Sequence, residues 1–187
     1  MPPKVKVTKE DIIKTALGLV RKSGESVLNA RSIAAELGCS TQPVFSNFTT
    51  MEELQQALIV AAYDEYLGFI AREVESGKYP RYKAFGMGYI RFAECEKELF
   101  KLLFMRDRRG ESWVSTSDFE DSVKMIMEAN GVSEETARLM HLEMWTSVHG
   151  IGAMLATSFL TLDDEIISRI TSDIYHGIRS RHTEEVS

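Results

Sequence analysis

The side chains of this chain best suited to specific chemistry are short, polar and clustered between residues 40 and 50. The segment reads STQPVFSNFTT. Its hydroxyl and amide groups can donate to phosphate oxygens, and a glutamine such as Gln42 can make a bidentate contact to adenine. The chemistry predicted here is recognition by hydrogen bonding.

A helix of barely two turns, predicted from Thr41 to Asn47, must position these side chains. So short a helix does not persist in water by itself, because its nucleation is costly. Val44 and Phe48 lie four residues apart and are expected to clamp it through one apolar face. Gly38 is predicted to end the preceding helix in a left-handed turn, and Ser40 is predicted to cap the new helix.

Two further helices are predicted before this segment. The first runs from a cap at Thr8 to Ser23 and is ended by Gly24. The second runs from about Ala30 to Leu37. Two short helices around a tight turn, the second presenting small hydrogen-bonding side chains, are typical of a helix-turn-helix that reads DNA.

The segment from Thr8 to Leu54 resembles the DNA-binding domain of the tetracycline-repressor (TetR) family of bacterial transcription regulators. The matching pieces are TKEDIIKTALGLVRKSG, RSIAAELGCS, a small-residue helix ending at Phe48, and MEEL. Two later stretches are similar to ligand-domain patterns of a subgroup with a Trp…His-Gly motif: YIRFAECEKELFKLLF (Tyr89 to Phe104) and WTSVHG (Trp145 to Gly150). The resemblance implies a DNA-binding domain at residues 1–50 and a ligand-binding and dimerisation domain at residues 51–187.

Ten residues are expected to form the DNA-binding surface that this resemblance implies. Thr41, Gln42 and Ser46 would meet base edges. Asn47, Thr49 and Thr50 would donate to phosphates, and Lys6, Lys9 and Arg31 would supply positive charge. The full set is Arg31, Ser40, Thr41, Gln42, Pro43, Phe45, Ser46, Asn47, Thr49 and Thr50.

Three departures from the family pattern affect the phosphate contacts. Phe45 stands where a tyrosine is usual, Asn47 stands at a second aromatic position, and Thr49 and Met51 replace common lysines. Because phosphate contacts dominate affinity, binding is expected to be weaker or more sensitive to salt. An alternative therefore stays open, namely a helical ligand-binding or adaptor module that has lost specific DNA binding.

The net charge of −6 hides an asymmetry along the chain. Residues 1–48 carry seven Lys or Arg against four acids, a net charge of +3, so the other 139 residues carry −9. A mildly basic N-terminal part favours a nucleic-acid partner there.

Beyond residue 50 the apolar periodicity predicts six more helices and no strands. The expected bounds are a capping box at Thr50 and Glu53 running to Glu75, then Arg81 to Cys95, Glu98 to Arg106, Ser117 to Ala129, a Ser133 cap to Leu160, and Asp163 to Ser180. The predicted fold class is all-α, with a three-helix helix-turn-helix domain joined by a long helix to a six-helix effector and dimerisation domain.

The later helices are rich in methionine and aromatic residues, since seven of the nine methionines fall between residues 81 and 160. This composition suits a pocket for a hydrophobic or amphipathic small molecule, although an ordinary methionine-rich core explains part of it. In the family, ligand binding releases DNA, which implies a repressor. The candidate ligand-binding residues are Tyr63, Phe85, Tyr89, Phe92, Phe104, Met125, Trp145 and His149. His149 fits either a polar ligand or a satisfied core histidine.

The penultimate predicted helix contains a run of small residues, namely Gly150, Gly152, Ala153 and Ala156. Small residues allow another helix to approach closely, within one copy or between two. In the family the last two helices pair across a twofold axis, which implies a homodimer matched to a palindromic double-stranded operator.

Other classes have little support in the residues. A di-metal carboxylate enzyme needs two Glu-x-x-His motifs, and the nearest pattern is Asp173-x-x-His176. The G-x-S-x-G elbow of hydrolases is absent. Cys39 and Cys95 lack metal or redox spacing, and no apolar run approaches the length of a membrane span. We therefore expect a cytoplasmic protein without catalytic residues, metal or cofactor.

Overall fold

The computed structural model describes residues 7–107 and 116–184, and within those ranges every regular element is helical. A 3₁₀ turn at Glu25–Val27 precedes the second of the nine α-helices in these ranges. The helices are α1 (Lys9–Ser23), α2 (Ala30–Glu36), α3 (Gln42–Asn47), α4 (Met51–Glu75), α5 (Arg81–Cys95), α6 (Lys97–Phe104), α7 (Thr116–Asn130), α8 (Glu134–Ala156) and α9 (Asp164–Glu184). The predicted all-α class is confirmed.

Helix α1 begins at the predicted capping box. The amide of Asp11 donates to Thr8 Oγ1 at 3.1 Å, and the amide of Thr8 donates back to Asp11 Oδ2 at 2.9 Å. The hydrogen bond from the Thr8 amide holds the pKa of Asp11 below its usual value. The helix ends at Gly24, whose φ of +76° lies in the left-handed region that favours glycine.

The turn between α2 and α3 is formed as predicted at Gly38 but not at Ser40. Gly38 has φ +64°, and the amide of Cys39 donates to the carbonyl of Ala34 at 2.9 Å, which closes the end of α2. Helix α3 has no side-chain cap, because Thr41 in front of it already has helical backbone angles (φ −71°, ψ −12°). A capping side chain needs an extended backbone, and Pro43 removes one first-turn donor. The predicted Ser40 cap is therefore wrong.

The chain folds as two compact units, and the first is discontinuous in sequence. It holds the N-terminal residues as far as Leu67 together with Glu96–Arg106, so α6 belongs to it and packs on α1. Arg21 of α1 ties this unit together, since its Nε donates to Glu96 at 2.9 Å and its Nη2 lies 3.2 Å from Glu65 Oε1. The compact unit thus extends beyond residue 50, and the functional boundary at that residue stays a prediction.

The second unit contains Gly68–Cys95 and the chain from residue 107 onward. Helix α5 packs on α8, which also contacts α7 and α9. Gly88 permits a close crossing within this unit, because a Cβ at that position would lie 2.8 Å from the Cα of Ile70. Helix α8 ends at Ala156 and not at Leu160 as predicted, because Ser158 turns the chain with φ +56°.

Within the described ranges, no helix combines the length and the apolar character that a membrane crossing requires.

Candidate functional site

Helix α3 is held by two side chains and displays others. Val44 and Phe48 are each only 1% exposed, as the predicted clamp requires. On the opposite side, Gln42, Phe45 and Ser46 are exposed. Positions three and four residues apart share one helix face, so these three side chains form a single outward surface, here called the α3 face.

The other predicted DNA-binding residues surround this surface with different exposure. Ser40, Thr49 and Thr50 are exposed, whereas Thr41 and Pro43 are half-buried. Arg31 is exposed on α2. Among the described residues its guanidinium has neither an ion pair nor a hydrogen bond, so it can turn towards a phosphate.

Asn47 is used inside the protein. Its amide nitrogen donates to the carbonyl oxygen of Pro43 at 2.8 Å and to that of Val7 at 3.4 Å. Asn47 therefore secures the end of α3 to the chain before α1, and these contacts compete with its predicted donation to a phosphate. Ser46 donates to the carbonyl of Gln42 at 2.8 Å, which leaves its oxygen lone pairs available as acceptors.

The carboxylate of Glu53 binds two residues that were expected to contact DNA, Thr49 and Lys9. It accepts from the Thr49 amide at 2.8 Å and pairs with Lys9 Nζ at 3.1 Å. Thr50 Oγ1 accepts from the Glu53 amide at 3.2 Å, so half of the predicted capping box is present and the return bond comes from Thr49. The Thr49 amide and then Lys9 lower the pKa of Glu53. Lys6 lies outside the described residues.

Three candidate ligand residues come together in the second unit. The hydroxyl of Tyr89 lies 2.7 Å from His149 Nδ1, and the indole of Trp145 stacks on the imidazole of His149 with ring centres 5.3 Å apart. Burial lowers the pKa of His149. Trp145 is 45% exposed, so this group, here called the Trp145 cluster, reaches from the buried Tyr89 to the surface.

The remaining ligand candidates are dispersed. Tyr63 and Phe104 belong to the first unit, where their rings lie 5.3 and 5.4 Å from that of Tyr66. In the second unit Phe92 is fully buried, whereas Phe85 and Met125 are half-buried. The structure therefore divides the predicted ligand residues between the two units.

A second histidine pair in this unit was missed by sequence reasoning. The hydroxyl of Tyr82 on α5 lies 2.9 Å from Nδ1 of His141 on α8, and the ring of Phe119 meets the imidazole edge-on with centres 4.7 Å apart. Burial lowers the pKa of His141 to about 4 and raises that of Tyr82. Fifty-nine residues separate the pair, and helical periodicity along α8 gives no sign of such a partner.

An open groove of about 540 Å³ runs between α8 and α9. Its lining includes Glu143 and Thr146 from α8, and Ile174 and Gly177 from α9. Helix α8 also exposes three apolar residues at a spacing of three: Leu139, Leu142 and Trp145.

The run of small residues on α8 divides between two environments. Gly152 and Ala156 are buried within their own unit, whereas Gly150 and Ala153 are half-buried. A Cβ at Gly150 or Gly177 would meet nothing within 4 Å. Part of the run therefore packs within one copy and part leaves room beside the helix.

Comparison with known proteins gives no match to a family model and none to a curated protein. Solved structures do match. A protein of unknown function from Rhodococcus sp. RHA1 has a TM-score of 0.76 at 20% identity, covering 95% of this chain and 98% of that one.

Two further matches are TetR-family proteins. One, from Vibrio parahaemolyticus and assigned as a transcriptional regulator, has a TM-score of 0.59 at 16% identity, covering 90% of this chain and 97% of that one. The other is ActR from Streptomyces coelicolor in complex with (S)-DNPA, with a TM-score of 0.57 at 18% identity, covering 94% and 98%. The chain therefore has the all-α fold of TetR-family regulators.

Proposed function

We propose that this chain is a TetR-type DNA-binding transcriptional regulator of the cytoplasm, a repressor that a hydrophobic or amphipathic small molecule releases from a palindromic operator. The observation that carries the proposal is the α3 face. A six-residue helix is fixed by the buried Val44 and Phe48 while Gln42, Phe45 and Ser46 stand exposed together. A short rigid helix of this kind fits the major groove.

Each exposed side chain has a matching partner on DNA. Gln42 offers bidentate contact to adenine, Ser46 accepts from a base edge, and Phe45 contacts a thymine methyl group. Arg31 supplies a phosphate contact.

The second unit supplies the dimer and the effector site. One α3 face makes few contacts, so two copies are required, joined through α8 and α9. Leu139 and Leu142 would be covered by the partner copy, and the open space beside Gly150 and Gly177 admits its helices. The Trp145 cluster is the proposed effector site, and the effector must bind the DNA-incompetent state more tightly in order to release DNA.

Selection of duplex DNA tests the proposal without knowledge of the operator. Purified full-length chain is mixed at about 50 mM salt with a pool of random duplexes, and bound sequences are amplified and read. A palindrome with half-site centres about one helical turn apart, or a small multiple of that, is the expected result. Failure to enrich any motif, together with a flat titration of the pool at low salt, contradicts it.

The second candidate is a helical ligand-binding or adaptor module without specific DNA binding. Two observations favour it: the amide of Asn47 is bound internally, and Lys9 is held by Glu53. Under this alternative, replacing Gln42 by Ala leaves every DNA titration unchanged.

The dimer is tested by introducing a charge on α8. Leu142→Glu is expected to dissociate the dimer in sedimentation experiments, because a carboxylate is buried there without a partner. Val60→Glu on α4 is the matched control, since Val60 is also exposed and apolar, at 57%. Equal sedimentation of the two variants and the wild type as dimers would place the interface elsewhere.

A further inference from the structure

Two buried side chains of the second unit each have a polar atom without a hydrogen-bond partner among the residues that the structure describes. Ser122 on α7 is 4% exposed, and His141 on α8 is 9% exposed. Thr171, buried to the same extent as Ser122, donates to the carbonyl of Ile167 at 2.9 Å. Most buried polar groups are paired in this way, because an unpaired one carries its full desolvation cost.

The unpaired atom of His141 is Nε2. Its Nδ1 is engaged by the hydroxyl of Tyr82 at 2.9 Å. If that hydroxyl donates, Nδ1 accepts and the proton of the neutral ring lies on Nε2. The opposite tautomer leaves both the Tyr82 proton and Nε2 unpaired, which costs more. The buried histidine therefore presents one N–H donor.

Ser122 and His141 face the same region of the packing. Helices α7 and α8 pack on each other and are joined by a short turn at residues 131–133, from which Ser122 and His141 stand eight and seven residues along their helices. Phe119, three residues before Ser122 on α7, has its ring 4.7 Å from that of His141. Ser122 thus lies one helical turn from the Phe119 ring that meets His141, and the Tyr82 ring contacts the same imidazole with ring centres 5.9 Å apart.

We propose that Ser122 and His141, which lies one turn before Trp145 on α8, form a polar subsite of the effector site, and that they bind one uncharged carbonyl oxygen. The proposal rests on the ligand-responsive function above. A carbonyl oxygen has two lone pairs and accepts from the His141 N–H and the Ser122 hydroxyl together. The adjacent rings contact the apolar part of the molecule.

An anionic ligand group does not suit this place. Two cations near these residues are already occupied. Lys83 Nζ donates to Ser168 Oγ and Ser172 Oγ at 2.7 Å each. The guanidinium of Arg138, which lies 5.6 Å from the centre of the Phe119 ring, pairs with Glu120 at 2.7 Å and Glu134 at 2.9 Å. A carboxylate at His141 would be buried without a counter-charge. The competing occupant is a single buried water, which also satisfies two polar groups.

Two small molecules of matched shape distinguish a site that binds a carbonyl oxygen from one that holds only a water molecule. Acetophenone and α-methylstyrene have nearly the same shape, and only the first has a carbonyl oxygen. Each is titrated into full-length protein without DNA, and the dissociation constant and the ¹⁵N signal of His141 Nε2 are followed by NMR. We expect acetophenone to bind about tenfold more tightly, the value of one to two net hydrogen bonds, and to shift the Nε2–H signal.

Three variants assign that preference to the subsite. Ser122→Ala and His141→Phe should each reduce the tenfold ratio by about threefold, and the double variant should abolish it. Tyr175→Phe is the control, because the Tyr175 hydroxyl already has a partner in the Asn130 amide at 2.9 Å, and it should keep the full ratio. If His141→Phe fails to fold, the affinity ratio of Ser122→Ala alone tests the subsite, and an unchanged tenfold ratio contradicts it.

Equal affinity for the two probes, or binding of acetophenone without a shift of the Nε2 signal, overturns the subsite. The random-duplex selection tests the regulator proposal separately. A chain that enriches a palindrome but ignores the carbonyl disproves only the subsite, whereas one that prefers the carbonyl but enriches no DNA disproves only the regulator.

Discussion

The two compact units differ in where the polar side chains of their candidate sites lie: exposed to solvent in the first unit and buried between helices in the second. In the first unit, Gln42 and Ser46 face solvent over an apolar floor that includes Val44 and Phe48. In the second, Ser122 and His141 are turned inward between helices. Under the two proposals above, substitutions on the α3 face change what is recognised without affecting stability, whereas in the second unit recognition and stability share the same residues.

The largest expected effect is the loss of stability on removing Phe48, one of the buried apolar side chains beneath the α3 face. Phe48→Ala should lower the free energy of unfolding by about 3–5 kcal/mol, because it deletes a fully buried ring. Phe45→Ala is the matched control three residues earlier, where the ring is 54% exposed, and should change stability by less than about 0.5 kcal/mol. Denaturant unfolding measures both, and similar losses would show that Phe45 also packs in the protein.

The next effect is a pH dependence that belongs to the second unit. Burial lowers the pKa of His141 to about 4 from its ordinary 6.5. Between those values the unfolded chain binds a proton that the folded protein does not, so stability is complete above pH 6.5 and falls as the pH drops. From pH 7 to pH 5 the wild type should lose about 2 kcal/mol more than His141→Phe. Parallel losses in urea titrations of the two proteins would contradict this.

A smaller effect is expected for recognition by the first unit. Gln42→Ala should reduce discrimination at one base-pair position by about 1–3 kcal/mol and leave the unfolding free energy unchanged, because the side chain is exposed. Competition between the selected operator and its single-base variants measures the discrimination. Uniform weakening across all variants would instead assign Gln42 to phosphate contact.

The smallest effect concerns the acid beside the α3 face. Glu53→Gln keeps an oxygen for the Thr49 amide but frees Lys9 for a phosphate, so DNA affinity at low salt should rise about threefold, with a salt slope steeper by about one. Glu52→Gln removes the same charge without releasing Lys9 and should give the smaller change. If both variants change DNA affinity and salt slope equally, the change comes from the lost negative charge and not from the release of Lys9.

The sequence predicted best what depends on nearby residues. The Thr8–Asp11 capping box and the left-handed Gly38 follow from local chemistry and are present. The end of α8 was misplaced because Ser158 turns the chain without the glycine or proline that usually marks such a turn.

Contacts between distant residues escaped sequence reasoning. Periodicity shows that Asn47 and His141 lie on helices, but their partners, Val7 and Tyr82, are 40 and 59 residues away. The membership of α6 in the first unit likewise comes from its packing on α1, where Arg21 meets Glu96 across 75 residues. Such pairings arise from packing, and no local propensity encodes them.

The return of α6 to the first unit has a consequence for synthesis. Translation delivers α1 to α4 well before residues 96–106, so the nascent N-terminal helices must wait for their last packing partner while α5 is being made. Proteins usually complete N-terminal domains first as they are translated. Here the ribosome must produce more than half of the polypeptide before α6 can pack on α1, so the surface of α1 that α6 covers stays exposed in the interval.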